Sequence, residues 1–172
     1  MKTLIAVIAL AAAIPAFAED AANLNDAEIA HVAYTADNID IRYAHLALAL
    51  SDNPDVRNFA ESMVRDHTAV NDQALALLDM LGVAPEDNFL SRSLMDGSET
   101  IIDELASLRG EEFDRRYAEN ELAYHQAVNA IVADAFIPNI ENADVKTLFE
   151  AGLEVFLAHE AHAEALVATV NK

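Results

Sequence analysis

The chain of 172 residues contains no cysteine and no tryptophan, and only four glycines and four prolines. The lack of cysteine excludes a disulfide scaffold and any thiolate metal site. Basic residues are scarce as well: 10 Lys and Arg stand against 30 Asp and Glu, a formal net charge of −20. Nucleic-acid binding needs Lys and Arg clustered at phosphates and fits that balance poorly. Long apolar runs are also few, and the most prominent, Leu4 to Ile14, is shorter than the roughly 20 residues that cross a bilayer. What the chain does have is apolar content. At 53% hydrophobic residues, it is too rich for a disordered segment and sufficient for the core of about one domain.

The first eighteen residues read as a signal peptide. Lys2 supplies a basic start, the Leu4–Ile14 run follows, and Ala16-Phe17-Ala18 forms a small-residue cleavage pattern before Glu19. The expectation is a periplasmic or secreted protein, cleaved near Ala18, with residues 19–172 forming a single domain. No integral membrane segment is expected in the mature chain. An exported chain without cysteine must be held together by packing, with a non-thiolate metal as the available staple.

The few glycines and prolines fall mostly between Ala-, Leu- and Glu-rich stretches of good helix propensity, and no stretch alternates like a strand. The fold class is therefore all-α. Asn25 and Glu28 form a capping-box pattern ahead of a helix over Asp26–Leu50. Asn53 and Pro54 then open a second helix, Pro54–Leu81, closed by Gly82. A third is expected over Glu111–Phe136, stopped by Pro138, and a fourth over Asp144–Val170, capped by Asn142. The link from Val83 to Gly110 is long, with a short helix expected over Glu99–Leu108. Such a link suits the crossover of a ferritin-like four-helix bundle better than a plain up-down-up-down bundle with a lid.

The informative residues are polar ones on the apolar stripes. His67 falls among Ala60, Met63, Val70 and Ala74. His159 lies between Phe156 and Ala163, and Asp40 lies beside Ala36, Tyr43 and Ala47. Glu121 and His125 are an i, i+4 pair flanked by Tyr117 and Tyr124. At 1.5 Å rise per residue, Asp40, His67, His125 and His159 come roughly midway along their helices, one per helix. Four such groups at one level suit a metal site in a bundle core. Asp66 and His162, on the flanks of their stripes, are further ligand or supporting candidates. A metal-free polar layer, with Asp and His satisfying each other, is the competing account. Glu28-x-x-His31 has the spacing of a di-iron motif but reads as a surface pair, and His45 reads as exposed. Arg115 and Arg116 read as partners of nearby acids.

These residues also carry a family resemblance. Met63-Val64-Arg65-Asp66-His67 resembles the M-[IV]-x-D-H signature of the bacterial domain of unknown function 4142 family. Gly110 to Tyr117 is similar to its G-x-x-F-D-x-x-Y, followed by His125, and His159-Glu160-Ala161-His162 is similar to its closing H-x-x-H. The likeness runs from about Ile29 to Leu166. It implies a secreted, ferritin-like four-helix bundle and no established reaction. Where the family usually has Glu in the first helix, this chain has Asp40. It also lacks the two inward Glu-x-x-His pairs of di-iron ferritin-like enzymes.

The resulting expectation is a transition-metal-binding protein, with metal handling or envelope stress as its role. Its candidate ligands are Asp40, Asp66, His67, Glu121, His125, His159 and His162. Imidazoles suit Zn, Cu, Ni or Fe and carboxylates allow Fe or Mn, so ligand type does not select the metal. No organic cofactor is indicated. Two other classes compete: a metal-dependent oxidoreductase with Tyr117 or Tyr124 near the ion, and a metal-free protein whose acidic surface binds a basic partner.

Overall fold

The computed structural model describes Ala21 and residues 23–172; the expected signal peptide, Met1–Ala18, lies outside the described residues. Within them the chain is all-helical. Five long helices follow one another: α1 (Asp26–Leu50), α2 (Pro54–Leu81), α3 (Phe89–Ser107), α4 (Gly110–Ile131) and α5 (Ala143–Val170).

Local chemistry sets most of these boundaries. The Asn25 side chain accepts from the Glu28 backbone N–H, and the Glu28 carboxylate accepts from that of Asn25, at 3.0 and 2.9 Å. Asn53 caps α2 through the Asp55 N–H with Pro54 next to it. Gly82 ends α2 at φ 67°, in the left-handed region that glycine enters without a steric cost. Asn142 accepts from the first N–H groups of α5. Asp26 reaches across to accept from the Glu141 and Asn142 N–H groups, tying the start of α1 to that of α5.

Two expectations are corrected. The segment expected to hold a short helix over Glu99–Leu108 instead carries the 19-residue α3, which starts at Phe89 and passes through Gly97. Asn88 forms a capping box with Ser91 rather than with Glu or Gln. Gly97 is exposed, and its cost of roughly 1 kcal/mol in helix propensity is outweighed by the burial of Leu90 and Leu105 on the same helix. Pro138 likewise does not stop α4 at Phe136. The helix widens to π geometry over Val132–Phe136 and continues through Ile137–Asn139. The wider turn accommodates a ring that lacks an N–H and would clash with the carbonyl four residues earlier.

α1 packs most extensively on α2, and α4 on α5; α3 lies along α1 and also touches α4, while α2 meets α5 and α1 meets α4. Arg42–Glu99 and the two-pronged Arg116–Glu104 pair fasten α3 to α1 and α4. The core has two apolar clusters. One gathers Tyr43, Ala47, Val56, Phe59, Met63, Leu105, Phe113, Tyr117 and Leu166. The other gathers Ile29, Val32, Leu90, Val132, Phe136, Ile140 and Val145. On α1, α2, α4 and α5 the stretch between the clusters holds Asp37, His67, His125 and His159, all buried. Polar side chains thus form a layer across the middle of the helical bundle. No described helix is long and apolar enough to cross a membrane.

Candidate metal centre

Each of these helices brings its ionisable group to the middle because apolar residues one turn on either side anchor that face inward. Met63 lies one turn before His67, Tyr43 follows Asp40, Tyr117 precedes Glu121, and Ala163 follows His159; all are buried. Asp40 and Glu121 are fully buried, and His67, His125 and His159 are 3–6% exposed.

The cluster contains two triads of possible donors. His67, His125 and His159 each offer a nitrogen within 4.8 Å of the others, and Asp40, Glu121 and His125 do the same with carboxylate oxygens and a nitrogen. His125 belongs to both. Five of the seven expected residues therefore meet: Asp40, His67, Glu121, His125 and His159. Two do not enter the triads. Asp66 sits at the edge, 27% exposed, held by the Arg65 guanidinium and bonded to His159 Nε2 at 3.1 Å. His162 is exposed, its ring edge against Phe59.

The imidazoles share a pattern. His67 Nδ1 donates to Asp37 Oδ1 at 2.7 Å, His125 Nδ1 to the Glu121 carbonyl at 2.9 Å, and His159 Nε2 to Asp66 Oδ2 at 3.1 Å. The other nitrogen of His125 and of His159 is buried and has no hydrogen-bond partner among the described residues, and neither has Asp40 Oδ1; that of His67 sits against Asp40 Oδ2. One nitrogen fixed by an outer acceptor and one left free is how a metal-ligating histidine is oriented. Phe156 stacks on His67 at 4.8 Å between ring centres and keeps that ring in place.

Electrostatics divides the groups sharply. Burial works against a charged His67, yet the Asp40 charge and the hydrogen bonds to Asp37 and Asp40 push its pKa from 6.5 to about 10. Burial alone would raise the Asp40 pKa, but the His67 charge on its Oδ2, reinforced by His125 at 3.6 Å, holds it below the ordinary carboxylate range. Burial and then the Asp40 charge push Glu121 well up, which favours its neutral acid. Burial also raises Asp37 against the pull of His67. It lowers His125 despite Asp40, and with the His67 charge it takes His159 down to about 4. The centre thus holds one cationic and two neutral imidazoles.

Sequence reasoning missed Asp37. It sits one turn before Asp40 on the same helix and is 5% exposed; the i, i+3 spacing of the two acids was the available signal. His31 is half-buried rather than on the surface, and Glu28 is engaged in the α1 cap. His45 is exposed as expected, and Arg115 and Arg116 pair with Glu111 and Glu104. Tyr124 donates to the Ala36 carbonyl at 3.0 Å, while the Tyr117 hydroxyl is buried and has no partner among the described residues.

Comparison with curated proteins returns no match, and comparison with solved structures returns none. The family model described as domain of unknown function (DUF4142) matches residues 11–166, and the chain belongs to that family.

Proposed function

We propose that this chain is an exported, ferritin-like four-helix-bundle protein, with α1, α2, α4 and α5 as the bundle and α3 as the crossover. Its middle layer holds one transition-metal ion. The ligands are His67, His125 and His159 with Asp40; Glu121 is a further ligand or the partner of Asp40. Asp37 and Asp66 orient His67 and His159 from outside, and His162 takes no part. The signal-peptide pattern of residues 1–18 supports export, with residues 19–172 as one domain. The role is metal handling or protection of the envelope rather than a defined reaction.

The carrying observation is that three buried imidazoles converge, each with one nitrogen bound to an outer acceptor; the second nitrogen is free on His125 and His159 and faces the ionised, buried Asp40 on His67. Buried polar atoms without partners cost about 1–3 kcal/mol each, and a cation would satisfy several at once. Three imidazoles and a carboxylate suit Zn, Cu, Ni or Fe, with Mn if the carboxylates dominate.

Protein purified from the exported fraction should contain close to one metal ion per chain. At a metal concentration about a thousand times Kd, binding adds about 4 kcal/mol, or roughly 10 °C in melting temperature for a domain of this size. A His67→Ala, His159→Ala double variant with unchanged metal content would sink the ligand assignment. One observation favours a metal-free polar layer: the His67 cation is already flanked by Asp37 and Asp40. Chelator-treated protein that melts where untreated protein does would support that reading.

A further inference from the structure

A cavity of about 10 Å³ opens beside the buried cluster, room for a single water molecule. Asp37, His67 and His125 line it from the cluster, and Tyr124, Val128 and Asn129 line it from α4. Two of the three imidazoles therefore border the same small space.

Asn129 is one of the polar side chains bordering a space whose wall is otherwise mostly apolar. Its amide nitrogen donates to the Phe156 carbonyl at 3.2 Å and to Glu160 Oε2 at 2.9 Å. Those two bonds fix which end of the amide is which. The remaining oxygen, Oδ1, is buried and accepts no hydrogen bond among the described residues. An acceptor left in this state is costly unless a donor reaches it. No side chain bordering the cavity fills the role: Tyr124 spends its hydroxyl proton on the Ala36 carbonyl, His67 its two ring protons on Asp37 and Asp40, and His125 its Nδ1 proton on the Glu121 carbonyl.

We propose that this cavity is the exogenous-ligand position of the metal centre, a place for one water-sized molecule that binds the ion through one atom and donates a hydrogen bond to Asn129 Oδ1. Water or hydroxide has that chemistry. The inference rests on the metal reading above and sharpens it, because a centre with an exchangeable position is open rather than a closed structural one. Molecules of several heavy atoms exceed the cavity unless Val128 or Tyr124 moves.

The test separates this inference from the reading beneath it. Chelator-treated protein is reloaded with one equivalent of Cu(II), checked by elemental analysis, and frozen in ¹⁷O-enriched water. Wild type should show the ¹⁷O hyperfine coupling of metal-bound solvent by pulsed EPR. Val128→Phe, which fills the cavity from a half-buried position, should retain one copper per chain and lose that coupling. Val128→Leu, a milder filling, should weaken it and serves if the larger ring unfolds the chain. Absence of the coupling in copper-loaded wild type, or its persistence at full strength in copper-loaded Val128→Phe, overturns the ligand position and leaves the metal reading standing. A wild-type chain that holds no copper overturns both.

Discussion

Metal binding at neutral pH should expel protons, and their number identifies the groups the ion displaces. His67 keeps both ring protons up to about pH 10, because Asp37 and Asp40 flank it, whereas a coordinated imidazole must surrender one. At pH 7 the ion competes with a proton held about three pH units above ambient. Apparent affinity is therefore reduced about 10³-fold, or about 4 kcal/mol. His125 and His159, with pKa values pushed down, are already neutral and contribute nothing to the count. Between pH 7 and 9 the apparent Kd should fall about tenfold per pH unit if His67 alone yields a proton, and more steeply if Glu121 yields its own as well. Titration calorimetry of chelator-treated protein with Zn(II), in two buffers of different ionisation enthalpy, gives the number directly: one to two protons at pH 7. Asp37→Asn removes one of the carboxylates that hold the His67 proton and should lower the count. A Kd that stays flat from pH 7 to 9, with no proton released, would refute coordination by His67.

Three further outcomes follow from the same charges. In metal-free protein the His67 pKa is raised on folding, so its contribution is complete below pH 6.5 and disappears as pH rises through about 10; His67→Gln should cost about 5 kcal/mol at pH 6 by urea denaturation, shrinking toward pH 10. A cost independent of pH would show that His67 is not the cation in the layer. Glu121→Gln copies the shape of the neutral acid and removes the cost of protonating it on folding; metal-free protein should become more stable at pH 7 while metal affinity, measured by competition with a chelator, weakens about 10–100-fold. His162→Ala should leave metal content unchanged and shift stability by no more than about 1 kcal/mol, the scale of one ring-edge contact with Phe59.

Helices α1 and α2 were readable to the residue because their ends are written in local chemistry: Asn25 with Glu28, Asn53 with Pro54, and Gly82. The start of α3 was not, because a Ser at the third position does the work usually given to Glu or Gln, and Gly97 looks like a stop where packing overrides propensity. The π turn before Pro138 depends on how the chain relieves a clash, which a helical wheel does not contain. Asp40, His67, His125 and His159 stood out because each interrupts an apolar stripe at a similar height. Asp37 did not, since an acid in a chain with 30 Asp and Glu passes for part of a solvated face. Its burial becomes visible only once α2 lies against α1 and His67 Nδ1 meets it. Asp66 was correctly placed on a flank, but the wheel could not tell that Arg65 and His159 would both claim it.

The layer between the apolar clusters makes sense as a balance of charge. Without a cation, three buried carboxyl groups, Asp37, Asp40 and Glu121, would face one another in a medium that screens them weakly. The metal-free fold limits this repulsion with protons: the extra proton on His67 compensates Asp40, and the high pKa of Glu121 favours its neutral acid. Each proton occupies a group that could instead bind a divalent ion. Exchanging both for M²⁺ would preserve the total charge of the layer and give the free imidazole nitrogens of His125 and His159 a partner that no described protein group provides. A layer built only for stability would need no such vacant nitrogens, since apolar residues of similar size would pack there at no desolvation cost. The same groups therefore fit both a stable metal-free fold and the proposed exchange of its protons for a metal ion.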